Sequence, residues 1–170
     1  MILACVSIAG KGLTDACLIE AVALMQAQGL RLAGTVQSNP LRDNRPKCDM
    51  DVHVLPDGPV LRISEDRGPL ARGCRLDAGM LETAVAATLD RLDTAELLVI
   101  NKFGKQEAEG RGFVPVIAEA MAGGLPVLVG VNPINHAAFQ AFSGGIARNL
   151  EPEPALIADW AVSLCRDCAA

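Results

Sequence analysis

Ile2-Leu3-Ala4-Cys5-Val6-Ser7-Ile8-Ala9-Gly10-Lys11-Gly12 opens the chain. An almost unbroken apolar run from Ile2 to Ile8 is what a strand buried on both faces requires, and such strands belong to parallel sheets. The turn Ala9 to Gly12 leads out of it. Beyond the turn, Leu18, Ile19, Val22 and Met25 recur at helical spacing between Asp15 and Gln28, and Gly29 supplies a stop. Leu30 to Val36 then reads as a second strand, which completes a strand–helix–strand unit around a glycine-lysine loop.

The pattern repeats further along. Asp77 to Asp90 carries Met80, Leu81, Ala84, Val85, Thr88 and Leu89 at helical spacing, with Asp77 as N-cap. Leu97 to Ile100 is a buried strand leading into Asn101 to Glu107. A helix follows around Pro115 to Ala122, then a strand from Leu125 to Val131 and a last helix from Pro154 to Cys168. Between Asp49 and Ile63, polar Asp49, Asp51 and His53 alternate with Met50, Val52 and Val54. Pro56-Asp57-Gly58 turns the chain, and Val60, Leu61 and Ile63 bring it back as a hairpin. The expected fold is a single α/β domain over residues 1–170, with three layers: a mainly parallel sheet, helices on both faces and an inserted β-hairpin.

Composition narrows the function. At 51% hydrophobic residues the chain can bury a full core. No apolar stretch approaches the roughly 20 residues that cross a bilayer, and the start has no basic leader, so the expected location is the cytoplasm, without membrane insertion. A net charge of −5, with four Phe, one Trp and no Tyr, excludes a nucleic-acid-wrapping surface. The six cysteines read as reduced thiols. Cys165 and Cys168 have C-x-x-C spacing but no second pair, which reads as a helix end.

In sheets of this kind ligands bind beyond the carboxyl ends of the strands. Gly10, Lys11 and Gly12 sit between a buried strand and a helix N-terminus, where free N–H groups and the helix dipole favour an anion, with Thr14 beside them. The match to the phosphate-loop pattern G-x-x-x-x-G-K-[ST] is partial. Cys5 stands where the first glycine belongs, and Gly12 where the magnesium-binding hydroxyl belongs. Asn101 and Lys102 occupy a strand end where phosphate-loop hydrolases carry carboxylates, which weakens any Mg²⁺ site and argues against ATP hydrolysis.

Glu107 is the carboxylate near that loop. It either orients water as a catalytic group or pairs with Lys102, Lys105 or Arg111. Arg72 and Arg75 form the densest basic loop, suited to oxyanions or phosphate, and also readable as solvated surface. Cys48, Asp49, Asp51 and His53 form either a ligand set or the polar face of a strand, and His136 lies at a strand end. No metal site is expected.

Several segments carry a family resemblance: Cys48-Asp49-Met50-Asp51, Gly73-Cys74-Arg75-Leu76-Asp77, Val99 to Gly112 with its Asn-Lys-Phe-Gly-Lys block, and Phe142-Ser143-Gly144-Gly145. Over nearly the whole chain the sequence resembles the bacterial domain of unknown function 2478 family. The resemblance implies a protein often encoded beside molybdate-transporter genes and distantly similar to phosphate-loop nucleoside-triphosphatases of the thermophilic type. In those relatives the corresponding strand leads to Asp-Glu and then G-x-x-E. Here Gly104-Lys105-Gln106-Glu107 is kept and Asn101-Lys102 replaces the acids.

The expectation is thus an oxyanion- or nucleotide-phosphate-binding protein of molybdate or molybdenum metabolism. Its ligand would be molybdate, a nucleoside triphosphate or a similar anion, held by Lys11, Lys102, Lys105, Arg72 and Arg75. A Mg²⁺-dependent nucleoside-triphosphatase or kinase, and a regulatory partner of a transporter or molybdenum enzyme, are the alternatives.

Overall fold

The computed structural model describes residues 2–41, 48–65 and 75–167. Seven strands form one sheet: β1 (Leu3–Val6), β2 (Leu32–Ser38), β3 (Asp51–Leu55), β4 (Val60–Arg62), β5 (Leu97–Phe103), β6 (Val127–Val131) and β7 (Arg148–Asn149). Their spatial order is β4-β3-β2-β5-β6-β1-β7. The five strands β2, β5, β6, β1 and β7 run parallel, while β3 and β4 add an antiparallel hairpin at one edge.

The helices are α1 (Leu13–Ala27), α2 (Ala78–Leu89), α3 (Lys105–Ala108), α4 (Val114–Ala122), α5 (His136–Ser143) and α6 (Pro154–Asp167). Parallel strands buried on both faces need cover on both. On one side, α1 and α6 pack Leu18, Val22, Met25 and Ile157 against Val6, Val99 and Leu128. On the other, α2, α4 and α5 bring Leu81, Val85, Ile117 and Phe139 onto Ile100, Phe103 and Val129. The three-layer fold with its inserted hairpin is therefore present.

Differences from the periodicity reading sit at element ends. Strand β5 runs through Asn101 and Lys102 to Phe103, because Phe103 is fully buried against the rings of Phe139 and Phe142. Asn101 and Lys102, expected at the strand end, are thus followed by one more strand residue. The β5–β6 register shifts between Asn101 and Phe103, the mark of a bulge, and the Asn101–Lys102 peptide is cis. The helix α5 and the short edge strand β7 had no clear periodic signal. Asp77 caps α2 as expected, accepting from Met80 N at 3.0 Å.

Gly34 in the middle of β2 has φ +114°, and a Cβ built there would lie inside contact distance of the Val99 carbonyl of β5. Only glycine combines that backbone with that approach. Gly34→Ala is expected to cost on the order of 3 kcal/mol or more, seen as a lower urea midpoint with an unchanged m-value.

Candidate functional site

Because β2, β5, β6 and β1 are parallel, their carboxyl ends share one edge, and residues of the stretches 9–12, 39–41, 48–50 and 132–134 gather there. Two cavities open on it. The smaller, about 420 Å³, is lined by Gly10, Thr14 and Asn132. The larger, about 850 Å³, is lined by Ile19, Asn39, Met50 and Arg75. Lys11, Gly12, Asp15 and Lys102 line both, so the two are lobes of one cleft.

The first loop is built from its glycines. Gly10 (φ +128°) and Gly12 (φ +75°) take conformations that side chains disfavour, and Gly12 caps α1, whose helical residues begin at Leu13. Counting from that helix start, Ser7 to Thr14 occupies the G-x-x-x-x-G-K-[ST] frame, two residues later than the Gly10-Lys11 pair alone suggests. Leu13 then stands in the lysine place and Thr14 in the hydroxyl place. Thr14 Oγ1 accepts from Ile8 N at 3.0 Å and donates to Ile8 O at 3.5 Å, closing the loop on itself. Among the described residues the N–H groups of Gly10 to Asp15 have no hydrogen-bond acceptor, and Lys11 has no ion-pair partner.

Asp15, 2% exposed, is the residue that sequence reasoning passed over. Its carboxylate meets Lys102 Nζ at 3.2 Å and accepts from Asn39 Nδ2 at 2.7 Å. With the Asn101 amide in the orientation that satisfies both its atoms, its nitrogen donates to Asp15 Oδ1 at 2.9 Å and its oxygen accepts from Gln37 N at 3.1 Å. Two consecutive strand residues, Asn101 and Lys102, reach the same carboxylate, which strict alternation would forbid and the bulge in β5 permits. Gly130 on the intervening strand β6 leaves the room: a Cβ there would fall 2.5 Å from Leu18 Cδ1, 3.3 Å from Thr14 Cγ2 and 3.5 Å from Asn101 Oδ1.

The structure thus gathers Gly10, Lys11, Gly12, Thr14, Asn101, Lys102 and Arg75 around the cleft. Arg75 is fixed by donating to the Cys48 carbonyl at 2.5 Å. It does not gather the others. Lys105 and Arg111 both turn to Glu109, outside both lobes, and Arg72 lies outside the described residues. Glu107 pairs with none of the three cations considered for it. Its oxygens accept from Gly104 N at 2.9 Å and Phe113 N at 3.1 Å, so it ties α3 to the start of α4. His136 opens α5 and lines neither lobe.

The polar face of β3 is explained by neighbours. Arg62 holds Asp51 in a two-pronged contact at 2.9 and 3.1 Å, and Ser38 Oγ lies 2.8 Å from His53 Nε2. No group of three or more His, Cys, Asp or Glu among the described residues is arranged to hold a metal. The donors that Mg²⁺ would need fit poorly: the Thr14 hydroxyl serves Ile8, and Asp15 serves three cationic or amide donors. A third cavity, about 600 Å³, lies at the opposite ends of β5 and β6 beside Glu96, Glu119 and Cys165, away from the glycine loop.

Comparison with known proteins places this geometry. The family profile described as "Protein of unknown function (DUF2478)" matches residues 3–160. The chain belongs to the DUF2478 family. A curated relative, the molybdenum import ATP-binding protein ModC 2 of Bradyrhizobium diazoefficiens, is 37% identical over 133 residues. That match takes in 78% of this chain but 15% of the relative, which is a far longer protein. The solution structure of a human cancer-related nucleoside triphosphatase superposes with a TM-score of 0.63 over 100% of both chains, at 17% identity. This DUF2478 chain therefore shares the fold of that nucleoside triphosphatase. No helix among the described residues is long and apolar enough to cross a membrane.

Two outcomes follow from the site's electrostatics. Lys102→Met leaves the Asp15 carboxylate buried on amide donors alone and is expected to cost about 1–3 kcal/mol in urea unfolding, moderated because Lys102 is partly solvated. For Glu107, burial pushes the carboxyl above its ordinary 4.5, partly offset by the Phe113 and Gly104 N–H groups. A raised folded value means that the native state binds the proton more tightly than the unfolded chain, so stability rises as pH falls towards 4.5 and is lost as pH climbs through the raised value. The stability difference between the wild type and Glu107→Gln should therefore be larger at about pH 5 than at about pH 7.

Proposed function

We propose that this DUF2478 chain binds an oxyanion or the phosphates of a nucleotide, without Mg²⁺-dependent hydrolysis, in the service of molybdate or molybdenum metabolism. One observation carries the reading. The carboxylate at the heart of the cleft, Asp15, is held by Lys102, Asn39 and Asn101, while Lys11, Arg75 and the N–H groups of residues 10–15 face the lobes. Three cations against one carboxylate leave the cleft positive, although the chain is acidic as a whole.

The free N–H groups at the start of α1 supply fixed donors and the positive end of the helix dipole. Lys11 adds a mobile charge, and Arg75 a planar fork suited to tetrahedral oxygens. Lys102, neutralised by Asp15, contributes N–H donors more than net charge. Hydrolysis needs a group to activate water and donors for Mg²⁺, and Glu107, the former candidate, has both oxygens committed to backbone N–H groups outside the cleft. Similarity to a relative named for molybdenum import supports the molybdenum part and a transporter as partner.

A thermal-shift panel of molybdate, tungstate, sulfate, ATP and GTP, each with and without Mg²⁺, separates the readings. At a hundredfold excess over Kd the native ligand should raise Tm by roughly 5–10 °C. The rise should persist in chelator and shrink in Lys11→Ala and Arg75→Ala. Stabilisation by ATP or GTP only with Mg²⁺, with phosphate release, would overturn this reading in favour of a hydrolase. No stabilisation by any anion would favour a purely regulatory partner.

A further inference from the structure

Asp15 does not need Lys102 to stay buried, because a closed ring of amides already serves its carboxylate. Gln37 Nε2 donates to Asn39 Oδ1 at 2.7 Å, and Asn39 Nδ2 donates to Asp15 Oδ2 at 2.7 Å. From the other side the Asn101 amide nitrogen donates to Asp15 Oδ1 at 2.9 Å. Its oxygen accepts from Gln37 N at 3.1 Å, which brings the ring back to its start. Each carboxylate oxygen thus holds an amide donor of its own, as burial requires. Lys102 Nζ comes in addition, 3.3 Å from one oxygen and 3.2 Å from the other.

Lys102 is also the part of this group that solvent reaches. Its side chain is 27% exposed against 3% for Asp15, and it lines both lobes of the cleft. Asn39 and Asn101 are each held at both ends of their amides, whereas Lys102 is an ammonium on a flexible stem that can change partners. The charged residues lining the larger lobe are Lys11, Arg75, Lys102 and Asp15, a surplus of two positive charges. While Lys102 lies on Asp15 its charge is offset, and an incoming anion meets Lys11 and Arg75. The anion must then compete with a carboxylate for Lys102, and attraction scales with the charge it carries.

We propose that Asp15 is an inhibitory, charge-selecting residue: it holds Lys102 away from the anion site, and Lys102 transfers to a doubly charged oxyanion but stays on Asp15 with a singly charged one. The proposal rests on the anion-binding reading and adds the contact that restrains it. The amide ring is what makes the transfer tolerable, since Asp15 keeps two donors after the lysine has left.

Tungstate and perrhenate test this, being tetrahedral oxyanions of similar size that differ by one charge. The lysine amines are methylated with isotope-labelled formaldehyde, and the Lys11 and Lys102 signals, assigned from Lys→Arg variants, are followed by NMR. Tungstate should shift both signals, and perrhenate should leave Lys102 unmoved. By calorimetry without Mg²⁺, Asp15→Asn should bind tungstate about tenfold more tightly than the wild type. Lys102→Met should weaken tungstate binding by a factor about threefold larger in the Asp15→Asn background than in the wild type, because the lysine no longer has to leave a partner. The NMR arm uses the wild-type side chains at both positions and does not depend on how the variants fold. A Lys102 signal that stays put while tungstate shifts Lys11, equal Lys102 shifts with both anions, or additive effects of the two substitutions would each overturn the proposal and leave the anion-binding reading intact. No shift of either lysine and no heat with tungstate would count against both.

Discussion

The cleft depends on one buried carboxylate. Asp15 enters from the first turn of α1, and what surrounds it comes from elsewhere: Lys102 and Asn101 from β5, Asn39 from the end of β2, and Gln37 through Asn101. A charge this deep is tolerated only when its lone pairs are filled. Filling them fixes the distance between α1 and the carboxyl ends of two strands, β2 next in sequence and the distant β5. Gly130 on β6 is the corresponding concession, since a Cβ there would displace the Leu18 methyl and crowd Thr14 beside Asn101. The site and the packing are one arrangement.

Much of the architecture was legible because it rests on periodicity. The run from Ile2 to Ile8, the helical spacing of Leu18 to Met25 and the alternation around Val52 and Val54 each report burial directly, and each became the element expected. The cap at Asp77 was legible for a similarly local reason. The continuation of the strand past Lys102 to Phe103 was not. Two polar residues after Leu97 to Ile100 imitate a strand end, and only Phe103, buried beyond them, shows that the strand goes on. A bulge breaks the alternation that would have revealed it.

The site was legible in its parts and not in its pairings. Lys102 was matched with Glu107, five residues away, because proximity along the chain is the only proximity a sequence displays. Its partner is Asp15, 87 positions earlier. Asp15 itself was hidden in plain view: an acid in a helix's first turn already has an explanation in the helix dipole. Glu107 misled in the opposite sense. Its place after Gly104 suggested catalysis, whereas its two backbone bonds show a carboxylate closing the turn between α3 and α4. The signal that would have separated them is burial by tertiary packing, which no spacing encodes.

The shared fold with a nucleoside triphosphatase and the altered cleft are compatible once the two demands on such a site are separated. Holding an anion needs backbone geometry: a glycine turn, a helix start and N–H groups with no other partner, all of which α1 and its loop supply. Hydrolysis needs particular side chains in particular places, a hydroxyl and carboxylates free to meet metal and water. Here the hydroxyl of Thr14 is turned back on Ile8, and the cleft's carboxylate is neutralised by a lysine. The first demand survives any sequence that keeps the turn, while the second is lost with two or three residues. On the proposed reading, a chain of this fold keeps the grip on an anion without the reaction, and the Asp15–Lys102 pair is the feature of this cleft that argues for it.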